Sequence, residues 1–141
     1  MSAFNERVIA EFRASGGTVG DPFEGTDLLL LTTRGARSGL PRTTPLVRLA
    51  HGDTEVVFAL NGGDPASPAW YHNLVAHPGD LTVEVGTETY RARPVEVADP
   101  VEYEELWRRQ IAVEPKFAQF RERAEGAGRR VPLVALTRAG S

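Results

Sequence analysis

The sequence predicts an α+β protein whose mostly antiparallel sheet, of about six strands, closes into a small barrel with three or four short helices around it. The apolar segment Asp27–Thr33 is typical of a buried strand, and alternating apolar and polar residues flank two tight turns. Those turns contain Gly52 and Gly86, which can adopt the positive φ that hairpins often need. Short strands joined by hairpins favour a barrel, because closure leaves no exposed sheet edge.

The remaining strands follow from the same signals. A segment rich in β-branched residues comes after the basic loop that follows the first strand, and another strand follows the turn at Gly52. A hairpin pivots at Gly86, and an apolar segment near the end of the chain gives the last strand. The predicted strands cover residues 27–33, 43–50, 55–60, the two arms of 81–97, and 131–137.

Helix signals occur before, between and after these strands. The N-terminal segment is amphipathic, because its apolar residues recur at helical spacing. Ser67 is a suitable N-cap with Pro68 at the first helical position, and Asp99 with Glu102 gives a capping-box-like start. Pro115 interrupts the helical pattern that follows. The predicted helices cover residues 3–14, 69–76, 100–112 and 116–124.

The composition fits one soluble domain over residues 1–141 and argues against several functions. The chain has 41% hydrophobic and 25% charged residues, and no segment reaches the ~18–20 apolar residues of a membrane span. The absence of cysteine excludes disulfides, thiolate metal sites and a cysteine nucleophile. A net charge of −3 argues against general nucleic-acid binding. We expect a cytoplasmic location, because no signal peptide is evident. Peripheral membrane contact and the choice between monomer and homodimer stay open.

The segment "TTRGARSGLPRTTPL" concentrates positive charge in an acidic chain. Arg34, Arg37 and Arg42 fall within nine residues, with glycines between them that let backbone N–H groups converge on an anion. The planar guanidinium matches phosphate or carboxylate oxygens. The segment predicts either an anion site or a solvated hairpin with scattered arginines. It lacks the spacing of a P-loop.

A second segment, "NGGDPASPAWYHNL", joins a glycine pair to a short helix. It could approach a flat ligand, with Trp70 and Tyr71 as aromatic surfaces and Asn73 as donor and acceptor. Alternatively, Trp70 and Leu74 form a core pair four residues apart. The three histidines are not spaced for a shared metal on a helix, and no serine–histidine–aspartate pattern indicates a hydrolase.

Together these segments resemble the deazaflavin-dependent nitroreductase family, which includes the actinobacterial F420H2-dependent quinone reductases. The resemblance rests on "TTRGARSGLPRTTPL" at 32–46, on "NGG" at 61–63 and on "PAWYHNL" at 68–74, and it extends from about Val8 to Thr137. It implies a split β-barrel like that of FMN-binding flavoreductases, with coenzyme F420 as cofactor. It also implies that the N-terminal helix, within residues 1–16, covers the site.

The resemblance also implies site residues. Arg37 and Arg42 would hold the phosphate and the acidic tail of the cofactor, and Phe12, Phe117 and Phe120 would line the acceptor pocket. Phe117 and Phe120 lie on one face of a helical turn and are by default core residues, which line a pocket only if this helix covers an open barrel mouth. No catalytic residue and no metal ligand is predicted. The implied cofactor-binding residues are Arg37, Ser38, Arg42, Thr44, Pro45, Leu46, Ala59, Leu60, Asn61, Gly62, Gly63, Pro68, Ala69, Trp70 and Asn73.

The implied activity is hydride transfer from reduced coenzyme F420 to a conjugated acceptor, namely a quinone, an enone or a lactone, with nitroaromatics as a further candidate. Two departures from the family pattern bear on the acceptor. The family often has a serine and then a lysine or asparagine just before the glycine pair, where this chain has Leu60 and Asn61, so that a polar contact to ring or substrate is missing. Glu114, Phe117 and Phe120 replace a tyrosine-rich segment. The alternatives are an FMN-dependent reductase on the same barrel and a non-catalytic deazaflavin carrier.

Overall fold

The computed structural model describes residues 3–21 and 23–139. In this part of the chain, seven strands and four α-helices alternate in the order that the sequence predicts. The elements are α1 (Ala3–Ser15), β1 (Leu28–Arg34), β2 (Pro41–Val47), β3 (Leu49–His51), β4 (Thr54–Phe58), a 3-10 turn (Asn61–Gly63), α2 (Ala69–Ala76), β5 (Leu81–Val85), β6 (Glu88–Glu96), α3 (Pro100–Val113), α4 (Lys116–Gly126) and β7 (Leu133–Arg138).

The strands form one curled sheet in the order β2-β1-β5-β6-β7-β4-β3, and each neighbouring pair is antiparallel. The two outermost strands, β2 and β3, are consecutive in the chain and are separated by Arg48 alone. The Arg48 N–H donates to the Asp27 carbonyl (3.0 Å), and its guanidinium pairs with Glu55 (2.7 and 3.1 Å). The chain therefore passes from one end of the sheet to the other, which curls the sheet toward a barrel.

β1 shows how the core is divided. Its four consecutive leucines are all buried, because alternate side chains point to opposite faces of the sheet. Leu29 and Leu31 pack with Trp70 of α2, whereas Leu28 and Leu30 pack with the apolar face of α1. A strand covered on both faces explains the uninterrupted apolar run in the sequence.

A third cluster packs α3 and α4 against the far end of the sheet. The ring of Phe58 in β4 contacts Trp107 of α3 edge-on, with centroids 4.9 Å apart, and Phe117 of α4 at 5.8 Å. This aromatic contact fixes α4 beside the loop that follows β4, which borders the candidate site.

The predicted α+β class is confirmed, and three details of the prediction are wrong. The strand expected over 43–50 is two strands, since Arg48 forms a corner between them. Pro68, not Ser67, caps α2, because its extended backbone precedes the first helical residue. Glu102 lies 3.6 Å from His51 and makes no capping bond, although Asp99 caps α3 through the Val101 N–H at 3.0 Å. No helix in the described residues is long and apolar enough to cross a membrane.

Candidate functional site

The loop between β1 and β2 is a tight turn held by its own backbone. The Gly35 N–H donates to the Leu40 carbonyl (2.8 Å), and the Gly39 N–H donates to the Gly35 carbonyl (2.9 Å). A Cβ atom on Gly35 would lie 2.5 Å from Ser38 Oγ and 3.3 Å from the Leu40 carbonyl oxygen, so a side chain at this position would require Ser38 to move. Ser38 Oγ accepts from the Leu40 N–H (3.1 Å). Arg37 therefore lies in a turn whose backbone conformation is held by these hydrogen bonds.

Asn73 of α2 fastens this loop to the sheet. Its Oδ1 accepts from the Ala36 N–H (2.9 Å), and its Nδ2 donates to Thr33 Oγ1 (3.1 Å). Both Asn73 and Thr33 are buried. The resemblance implies Asn73 as a cofactor-binding residue, and in the structure each end of its amide makes one hydrogen bond to the protein. Asn73 therefore positions the loop that carries Arg37.

Arg37 and Arg42 line a cleft of about 800 Å³ beside this loop. Within residues 3–21 and 23–139 neither guanidinium has an ion-pair or hydrogen-bond partner, whereas Arg34 lies 3.5 Å from Asp80. Two free cations on one cleft suit an anionic ligand. We call this the arginine cleft. Its lining residues are Asn5, Gly35, Ala36, Arg37, Ser38, Arg42, Thr43, Thr44, Ala69, Trp70, His72 and Asn73.

A smaller cavity of about 260 Å³ lies farther along β2. The arginine cleft includes Thr44, and this cavity begins at Pro45, so the two are neighbours on one strand. Most of its walls are hydrocarbon, and we call it the apolar pocket. Its lining residues are Phe23, Thr26, Pro45, Leu46, Val47, Phe58, Leu60, Gly62, Glu114, Lys116, Phe117 and Phe120.

Arg129, which follows α4, holds the loop after β4. Its guanidinium donates to the carbonyls of Ala59 (2.8 Å), Leu60 (2.6 Å) and Asp64 (3.0 Å), and Nη1 lies 3.3 Å from Ser67 Oγ. This loop forms one border of the apolar pocket. The sequence did not point to Arg129, because its contacts lie 62 to 70 residues earlier in the chain and nothing local marks them.

Gly63, the second residue of the glycine pair in this loop, allows close contact with α4. A Cβ atom on Gly63 would lie 2.7 Å from the Phe120 carbonyl oxygen and 3.0 Å from Arg123 Cβ. Gly62 has no such neighbour and lines the apolar pocket. The φ values in this loop are positive: 52° at Asn61, 64° at Gly62 and 86° at Gly63. The close backbone approach predicted here is thus made by α4 at Gly63, and Gly62 remains open to a ligand.

The structure divides the predicted site residues among the two cavities and their surroundings. Those on the arginine cleft are Arg37, Ser38, Arg42, Thr44, Ala69, Trp70 and Asn73. Those on the apolar pocket are Pro45, Leu46, Leu60, Gly62, Phe117 and Phe120. Those that line neither are Ala59, Asn61, Gly63, Pro68 and Phe12. Phe12 is 1% exposed and packs with Val8 and Leu30, so it belongs to the core under α1.

Tyr71 ties α2 to the sheet behind the arginine cleft. Its hydroxyl donates to the Glu96 carboxylate of β6. Partial burial, together with this hydrogen bond, raises the pKa of Tyr71 to about 12. The phenol therefore stays protonated and bonded throughout the neutral range.

One face of α3 carries polar atoms without partners. Trp107 Nε1, Gln110 Nε2 and Glu114 Oε2 are buried and make no hydrogen bond within the described residues. Their spacing of three and four residues places them along one side of the helix, with Glu114 at the apolar pocket. No group of three or more histidine, aspartate or glutamate side chains in the described chain could hold a metal.

Comparison with known proteins agrees with this geometry. Residues 5–138 match the sequence model of a family described as F420H(2)-dependent quinone reductase. The chain belongs to this family. The resemblance found in the sequence is therefore confirmed, and with it the assignment to coenzyme F420-dependent oxidoreductases.

Individual relatives support the assignment. An F420H(2)-dependent quinone reductase of Mycobacterium tuberculosis is 39% identical over 132 residues, which cover 92% of this chain and 86% of the relative. The solved structure of an F420-H2 dependent reductase (FDR-A) has a TM-score of 0.67 and 28% identity, covering 84% of this chain and 96% of that one. A structure described as a domain-swapped dimer has a TM-score of 0.69 and 26% identity, covering 93% and 94%. The predicted split-barrel fold is confirmed.

Proposed function

We propose that this protein transfers hydride from reduced coenzyme F420 to a quinone. The observation that supports the proposal most strongly is that the cavity lining changes from cationic to apolar along β2. From Arg42 to Val47, about 17 Å at ~3.3 Å per residue, the lining changes from a cleft with two free arginines to an apolar pocket. A cofactor with a flat ring at one end and an anionic chain at the other suits this arrangement.

Arg37 and Arg42 would bind the phosphate and the acidic tail. Each charge-assisted hydrogen bond of this kind is worth roughly 1.5–3 kcal/mol. Pro45 and Leu46 would lie beside the ring, and the loop over 59–63, held by Arg129 and α4, would border it. These residues fit the group because the cations lack protein partners in the described chain and the neighbouring pocket offers apolar walls.

When bound, the reduced cofactor supplies hydride from C5 of its ring. The protein's part is to bring the acceptor to ~3–3.5 Å from that carbon and to keep water away. Phe117 and Phe120 give the apolar pocket aromatic walls on the side of α4. Such walls favour flat conjugated molecules, so we expect quinones to be reduced in preference to small polar acceptors. Cyclic enones and lactones are secondary candidates, ahead of nitroaromatics.

The test is turnover with reduced coenzyme F420 and menadione, followed by loss of the reduced cofactor's absorbance. An enzyme consumes many equivalents of cofactor per protein, whereas a carrier gives at most a stoichiometric change. The double variant Arg37→Ala/Arg42→Ala should raise the KM for the cofactor while the protein remains folded, because both side chains are exposed. No turnover by the wild-type protein with any quinone would refute the proposal.

We also propose that the protein is a homodimer located in the cytoplasm, with peripheral membrane contact as a route to apolar quinones. The dimer is supported by a related structure that is described as a domain-swapped dimer. Light scattering coupled to size-exclusion chromatography decides between monomer and dimer. Sedimentation with vesicles containing a quinone tests the membrane contact.

A further inference from the structure

The apolar pocket contains a cation that the proposed function leaves without a role. Among the residues that line it, Thr26, Glu114 and Lys116 are the ones with polar side chains, and Lys116 is the single positive charge. Lys116 is the first residue of α4, next to Phe117, and is exposed to solvent. A flexible ammonium group therefore stands where the apolar pocket meets water.

Neither an ion pair nor helix stabilisation accounts for a lysine at position 116. It is the one lysine among 16 lysine and arginine residues. Within residues 3–21 and 23–139 it has no ion-pair or hydrogen-bond partner, whereas Arg121 on the same helix pairs with Glu104 (2.7 Å) and Glu125 (2.9 Å). A cation in the first turn also opposes the helix dipole, which favours cations at the C-terminal end. Lys116 therefore does not stabilise its own helix.

A positive group beside the acceptor would stabilise charge that develops in the reaction. When hydride adds to a quinone, its two electrons leave negative charge on the carbonyl oxygen of the acceptor. A preorganised positive group stabilises such charge, and it acts more strongly beside apolar walls than in water. An ionised Glu114 would repel the same oxygen. Of the two charged side chains in the apolar pocket, Lys116 has the sign that the reaction needs.

We propose that Lys116 is a catalytic residue that binds the carbonyl oxygen of the acceptor. This inference rests on the proposed quinone reduction. The ammonium donates a hydrogen bond to the oxygen, and as hydride arrives it gives up a proton to the oxyanion. Hydride forms a C–H bond at a ring carbon of the quinone, and the displaced π electrons move to the carbonyl oxygen, which takes the ammonium proton. Transfer of a proton from that ring carbon through water to the second carbonyl oxygen completes the hydroquinone, and the neutral amine regains its proton from water because Lys116 is exposed. The reduced deazaflavin supplies the hydride.

Steady-state kinetics with menadione give the first test. Lys116→Gln should lower kcat/KM for menadione about tenfold, and Lys116→Arg should recover only part of the loss, because the guanidinium retains charge and donors but does not give up a proton. Arg93→Gln, which removes an exposed cation from β6, is the matched control and should act like wild type. The KM for the cofactor should stay unchanged in all three variants. Equal kcat/KM in Lys116→Gln and in the control would overturn the proposal. A fall in kcat/KM in Glu114→Gln, with no fall in Lys116→Gln, would overturn it as well.

Binding to the cofactor-free protein gives a second test that does not depend on turnover. The probes are 2-hydroxy-1,4-naphthoquinone, which is ionised at neutral pH, and neutral menadione. Their binding is followed by tryptophan fluorescence, since Trp107 contacts Phe58 in the wall of the apolar pocket. Lys116→Gln should raise the Kd of the ionised quinone about three- to fivefold, as expected for the loss of one exposed ion pair, and should leave the Kd of menadione unchanged.

The two tests separate this inference from the proposed function. Equal affinity of wild type and Lys116→Gln for the ionised quinone would overturn the proposal that Lys116 binds the acceptor oxygen. This conclusion would hold regardless of which quinones the wild-type protein reduces. Wild-type protein that binds the ionised quinone through Lys116 but reduces no quinone would overturn the proposed reduction, and with it the catalytic step. Turnover that falls together with the binding of the ionised quinone supports both.

Discussion

Replacing Asn73 with alanine separates a residue that positions the arginine loop from one that contacts the cofactor. The change removes two hydrogen bonds and leaves Thr33 Oγ1 and the Ala36 N–H without partners. Thr33 is 1% exposed, so water cannot replace the lost bond, and such an orphan costs about 1–3 kcal/mol. Ala36 is exposed, so its N–H can turn to water at a cost of about 0.5–1 kcal/mol. We expect the free energy of unfolding to fall by about 1.5–4 kcal/mol, a large part of the 5–15 kcal/mol typical of a domain.

The assay is urea unfolding of the cofactor-free protein, followed by tryptophan fluorescence. His72→Ala, on the exposed side of the same helix turn, is the control and should change the midpoint little. Asn73→Asp keeps an acceptor for the Ala36 N–H and should lose less stability than Asn73→Ala. If Asn73→Ala unfolds like wild type yet binds the cofactor poorly, Asn73 contacts the ligand and does not act by positioning the loop.

Three further changes probe the surroundings of the two cavities. Arg129→Lys keeps the charge but loses the planar fork that bridges carbonyls of the loop over 59–67, so the unfolding free energy should fall by about 1–3 kcal/mol in urea titrations. Gly63→Ala places a Cβ atom 2.7 Å from the Phe120 carbonyl oxygen at φ 86°, and thermal unfolding should show a loss of at least about 2 kcal/mol. Burial, and after it the hydrogen bond to Glu96, raises the pKa of Tyr71 to about 12, so the neutral phenol adds stability below pH 10 that is lost as the pH rises toward 12; Tyr71→Phe should remove this part of the alkaline loss in pH-dependent unfolding.

The fold was predictable wherever local signals and tertiary structure agree. The leucine run of β1, the turn at Gly52 and the Asp99 half of the predicted capping box each depend on a few adjacent residues, and each of these forms as predicted. The corner at Arg48 was not predictable, because β2 pairs with β1 and β3 pairs with β4. The break between them is set by those partners and leaves no local signal.

The candidate site was predictable in its motifs but not in its contacts. The residues alone left open an anion site or a solvated hairpin at Arg37 and Arg42, and the family resemblance implied the anion site. The structure adds that neither arginine has a protein partner within the described residues. The roles of Asn73 and Arg129 depend on contacts with segments far away in the chain, which no pattern of neighbouring residues specifies. Phe12 was expected in the acceptor pocket but is buried in the core under α1. Helical periodicity predicts that the ring is buried, but it does not specify which core or cavity the ring faces.

Calorimetric titration of the protein with coenzyme F420 and with FMN, at low and high salt, tests the cofactor assignment most directly. We predict tighter binding of coenzyme F420, because its long acidic tail can reach both free arginines, and weaker binding as salt screens that attraction. Arg37→Ala or Arg42→Ala should each raise the Kd roughly tenfold or more, equivalent to 1.5–3 kcal/mol. FMN affinity equal to or tighter than that of coenzyme F420, without salt dependence and without an effect of either arginine, would contradict the assignment.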